Sequence, residues 1–128
     1  MSLKAALLAK RGSSIYCMER HYGHEPVAMI RLCPWQETEW MLRWSGLNSL
    51  SLAREEGRER LELHFARHHV TVIGFCLHEM LEDIQAFQLS CMRSFPASYR
   101  TTFPATEAFI EQLLVQPKAE AAISPPAR

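Results

Sequence analysis

Aspartate is almost missing from this 128-residue chain, where Asp83 stands alone against thirteen glutamates. Calcium loops and Asp-based phosphoryl-transfer sites need several closely spaced aspartates, so both classes are excluded. Lysine is scarce as well: Lys4, Lys10 and Lys118 are the only three, and the formal net charge is zero. Nucleic-acid binding draws much of its affinity from a basic excess, which disfavours nucleic acid as a partner. The five glycines, at positions 12, 23, 46, 57 and 74, are all isolated, so there is no glycine-rich phosphate loop. No GxSxG turn occurs to activate a serine. Cys17, Cys33, Cys76 and Cys91 are too widely spaced for a zinc knuckle or a CxxC redox pair. No segment approaches the roughly 20 apolar residues of a membrane span, and the N-terminal SLKAALLAKRG lacks a signal-peptide pattern. The expectation is a cytoplasmic protein with free thiols and no membrane association.

What is present fits one globular domain. Hydrophobic residues make up 48% and charged residues 22%, enough to build a core at this length. The segment RLELHFARHHVTVIGF, residues 60–75, is the clearest piece of local structure. Leu61, Leu63 and Phe65 alternate with Glu62, His64 and Ala66, and Val70 and Val72 continue the apolar face on a return strand. Placing the turn at Arg67-His68 gives strands over 60–66 and 69–75. Further alternation and turn signals predict strands over 14–21, 27–33 and 47–53. Residues 35–44 satisfy both helical and strand spacing, and we assign a strand to 39–44.

Beyond Gly74 the period changes. Leu77, Met80, Leu81, Ile84, Phe87 and Cys91 recur at three- and four-residue steps, which predicts a helix over 77–93. Phe109, Ile110, Leu113 and Leu114 form a similar stripe, and Pro104 suits a first turn, which predicts a second helix over 104–115. The small, Pro-rich segment 116–128 reads as a disordered tail behind a single domain at 1–115. Strands followed by helices predict an α+β fold, an antiparallel β-meander or half-barrel with two C-terminal helices. That outline is similar to pleckstrin-homology-like half-barrels, an analogy of fold that carries no function.

Three groups of side chains are candidates for a site. Trp35, Trp40 and Trp44 crowd into ten residues and would mark a binding surface if they faced outward. Arg93 and Arg100, flanking a loop with Tyr99, could hold an anion. His21, His24, His68 and His69 could form a zinc site if two hairpin tips met. That third option is not favoured, because adjacent strand residues such as His68 and His69 point to opposite faces. Cys76 and His78 invite a thiol-nucleophile reading, but a dyad also needs a third group to orient the imidazole, and the sequence shows none. We therefore expect no cofactor, and a non-enzymatic module acting on a protein partner or on a second copy of itself. The alternative is a metal-dependent or thiol enzyme built on the His-rich loops.

Overall fold

In a computed structural model of the chain, residues 16–118 are described, except 22 and 24. Among the described residues, eight strands form two four-stranded sheets, and one α-helix of six residues is present. Six strands come first: β1 (Met18–Arg20), β2 (Met29–Cys33), β3 (Trp40–Arg43), β4 (Leu47–Glu55), β5 (Arg58–Phe65) and β6 (His68–Phe75). A 3₁₀ turn over Leu77–Glu79 leads into α1 (Met80–Gln85), and then come β7 (Leu89–Arg93) and β8 (Phe109–Pro117). One sheet runs β1-β7-β2-β3 and the other β4-β5-β6-β8. Every pairing is antiparallel except β2 with β7. Among the described residues no helix is long and apolar enough to cross a membrane.

The 60–75 hairpin forms as its alternation requires. Leu61, Leu63, Phe65, Val70 and Val72 are all buried, and they join Ile30, Leu32, Leu89, Met92 and Ile110 in one core fed by both sheets. The turn, however, falls at Ala66-Arg67, one residue earlier than the sequence suggests, so that His64 lies opposite His69. Upstream, β4 and β5 join through Glu56 and Gly57, both at positive φ (52° and 83°), as a two-residue hairpin turn matched to strand twist demands.

Neither expected C-terminal helix is present at its expected length. The helix over 77–93 stops at Gln85, where Phe87 adopts a left-handed φ of 56° and the Phe87 and Gln88 amides close on Ile84 and Asp83. The chain continues as β7, an interior strand whose Leu89, Cys91 and Met92 are all buried. A strand covered on both faces loses its polar–apolar alternation, which is why its residues could be read as a continuing helical stripe. The second helix is instead β8. Its pairing with β6 shifts between Ile73 and Gly74, so that Ile73 faces Gln112 while Gly74 faces Ile110. The extra residue, Glu111, places Ile110 and Leu113 three apart on the same buried side, a spacing that imitates a helix. β8 also runs through Gln116 and Pro117, opposite His69 and His68, and the Lys118 amide donates to the Arg67 carbonyl. The ordered domain thus extends into the segment assigned to the tail; residues 119–128 lie outside the described residues.

Gly74 is required by the shift. A Cβ built there would sit 1.9 Å from the Phe109 carbonyl oxygen. Gly74→Ala should therefore push β8 off β6 and cost about 1–3 kcal/mol or more, read by urea unfolding. Leu63, fully buried, should cost about 2–5 kcal/mol on truncation to Ala in the same assay.

Candidate functional site on the outer face of the second sheet

Strand pairing sets three rows of side chains on the face of the β4-β5-β6-β8 sheet that points away from the core. Ser49, His64, His69 and Gln116 make one row. Ser51, Glu62, Thr71 and Leu114 make the next, and Ala53, Arg60, Ile73 and Gln112 the third. The polar centre of this face is Glu62, His64 and His69. Glu62 and His64 are two apart on β5, and His69 faces His64 from β6. The two imidazoles stack with centroids 4.6 Å apart and planes 12° from parallel. His69 Nε2 lies 3.1 Å from Glu62 Oε1, and His64 Nε2 lies 3.9 Å from the same oxygen. Arg60 Nε, at 3.0 Å, forms an ion pair with the other carboxylate oxygen and leaves Oε1 turned toward the rings. One donor atom from each of Glu62, His64 and His69 falls within 4.8 Å of the others, so these three could hold a metal ion.

The histidine set weighed, and not favoured, from sequence is not brought together among the described residues. His69 belongs to the trio, but His68 points the other way and packs edge-on to Trp40, with ring centroids 5.3 Å apart. His21 is exposed in the β1–β2 connection, and His24 lies outside the described residues. Glu62 and His64 were legible as outward residues of β5. Their meeting with His69 depends on the position of the turn, which the alternation alone places one residue late.

The tryptophans do not form an outward platform. Trp44 is buried and its Nε1 donates to the Leu89 carbonyl at 3.0 Å. Trp40 is half-buried against the core. Trp35 packs on Phe95 and Tyr99, at ring distances of 5.7 and 5.5 Å, and its amide donates to Ser94 Oγ. One side of Trp35 borders a groove of about 430 Å³ with Arg31, Cys33 and Arg93. Arg93 pairs with Glu19 at 2.6 Å, while Arg100 lies over the Phe75 ring at 4.2 Å. The two arginines are thus committed to different neighbours.

Thiol chemistry is poorly served. Burial pushes the Cys17 and Cys91 thiols up to about 12, which keeps them protonated at neutral pH. Burial, with Glu39 nearby, raises Cys33 too. Cys76 occupies a left-handed turn (φ 58°) and its Sγ is 3.5 Å from the Ala105 carbonyl. The third group that the sequence does not reveal is Glu59, buried on β5, whose Oε2 lies 3.2 Å from His78 Nδ1. Glu59 Oε1 also accepts the amides of Leu77 and His78. Those amides, the donors an oxyanion would need after Cys76, are already used.

Glu59 carries a pH dependence. Burial raises its carboxyl, but hydrogen bonds from the His78 amide and ring and from the Leu77 amide outweigh that, and the net shift is downward. The group therefore stabilises the fold above the unfolded carboxylate value of about 4.3, and the contribution is lost as pH falls through its depressed folded value. Glu59→Gln should lower stability at neutral pH by about 1–3 kcal/mol, with the gap to wild type closing on acidification, in denaturant titrations across pH.

Compared with known proteins, the chain matches no family model, and no curated protein or solved structure matches it significantly.

Proposed function

We propose that this domain is a non-enzymatic binding module that self-associates, with β4 of one copy pairing antiparallel to β4 of another. The observation that carries this reading is the edge of β4, which no described strand pairs with beyond β5. It lies at the margin of its sheet and spans nine residues, Leu47–Glu55. From Leu47 to Ala53 it carries no charge and no proline, the residues with which natural edge strands discourage pairing. Leu50, on the core-facing side, remains 36% exposed although its neighbour Leu63 is fully buried.

The sequence of the edge is complementary to itself. A two-fold axis through Ser51 would set Leu50 against Leu52 on one face and Ser49 against Ala53 on the other. Arg54 would face Asn48 and Glu55 would face Leu47, so no like charges would meet. Such an interface repeats the same patch on both copies, as closed dimers do, and main-chain hydrogen bonds would supply much of its affinity. The irregularity between Leu47 and Ser49 lies at one end and leaves Ser49–Glu55 regular. The occupied amides beside Cys76 and the protonated buried thiols favour this reading over a thiol enzyme. Four free cysteines fit the cytoplasmic setting expected from sequence.

Sedimentation velocity over a concentration series tests the proposal. The expected result is a monomer–dimer equilibrium that Leu50→Lys weakens at least about tenfold, with an unchanged circular dichroism spectrum. A chain that stays monomeric at about 1 mM, where even weak pairing at about −4 kcal/mol would register, contradicts it.

A further inference from the structure

We propose that Glu62, His64 and His69 bind one divalent first-row transition ion, zinc foremost, on the outer face of the β4–β8 sheet. Two imidazoles and one carboxylate are a donor set suited to zinc, copper, nickel or iron, whereas magnesium and calcium ask for oxygen ligands. Three protein ligands with a further position open to solvent is a recurrent zinc arrangement. Here the three side chains are 27%, 37% and 30% exposed, so water can complete the coordination.

Geometry supports the assignment independently of composition. A tetrahedral ion with ligand bonds of about 2.0–2.1 Å holds its donors about 3.3 Å apart. The Glu62–His69 separation of 3.1 Å is already near that value, and the Glu62–His64 separation of 3.9 Å is little longer. Binding requires the stacked rings to tilt apart, a rotation of partly exposed side chains that leaves the core packing in place. The donors sit on β5 and β6, the two interior strands of the sheet, so the backbone beneath them is held on both sides. Arg60 orients Glu62, and its own positive charge is offset in part by Glu55 at 3.8 Å. The site thus differs from the histidine set weighed and not favoured from sequence, sharing only His69 with it.

The test uses the full chain stripped with a chelator, then titrated with zinc chloride by calorimetry and with cobalt(II) by visible absorption. The expected result is one ion per chain with micromolar or tighter affinity and a tetrahedral cobalt spectrum. His64→Ala and His69→Ala should each weaken zinc binding at least about tenfold, and Glu62→Gln should weaken it and alter the cobalt spectrum. His21→Ala, remote from the trio, should leave both unchanged, and so should Leu50→Lys, which separates this site from pairing at β4. No saturable binding by the wild-type chain below about 1 mM would overturn the proposal without recourse to any variant. Tight binding that survives both histidine substitutions would equally overturn it, by placing the ion elsewhere.

Discussion

The register of β5 against β6 is the constraint on which the rest of the molecule depends. A two-residue turn at Ala66-Arg67 fixes Leu63 opposite Val70 and Leu61 opposite Val72, and these side chains are the floor of the core. The same register fixes His64 opposite His69 on the other face. Side chains alternate strictly along a strand, so one decision about the turn determines both the packing inside and the chemistry outside. β4 and β8 then add to the two flanks of this hairpin, and the first sheet covers its apolar face.

The alternation of residues 60–75 made this hairpin readable from the sequence, because one face is apolar and the other polar. β7 and β8 were not readable, for two different physical reasons. β7 is covered on both sides, so Leu89, Cys91 and Met92 give no period of two. β8 does have such a period, but the residue inserted at Glu111 resets it halfway, and Ile110 and Leu113 then imitate a helical step. In both cases tertiary pairing overrode a local pattern that pointed to a helix.

The candidate site was legible in its parts and not in its assembly. That Glu62, His64, Thr71 and Ile73 share an outward face is a consequence of alternation alone. Which histidine meets which depends on the turn, and Arg67-His68 would have set His69 against Ala66. Glu59 shows a different limit: its carboxylate reaches the start of the helical segment nineteen residues on, at His78, and nothing in the local pattern around Glu59 signals that contact. The tryptophan cluster looked like a surface because three large aromatics fall close together, yet Trp44 lies in the core and Trp40 and Trp35 lie along its margin.

The place of β7 governs how the chain reaches this structure in time. β7 sits between β1 and β2, and it runs parallel to β2 at a point where Cys33 and Cys91 are 58 residues apart. Among the described strands β1 pairs with β7 alone. During synthesis, therefore, β1 emerges well before β7, its described partner, while Ile30 and Leu32 of β2 lack their later cover. The β4–β6 meander can close from near neighbours as soon as it leaves the ribosome, whereas the first sheet must wait for a late segment to slot into its middle. Closing so distant a contact is entropically slow. The domain thus matures from its centre outward, with β7 as the wedge that recruits β1 across a long separation in sequence.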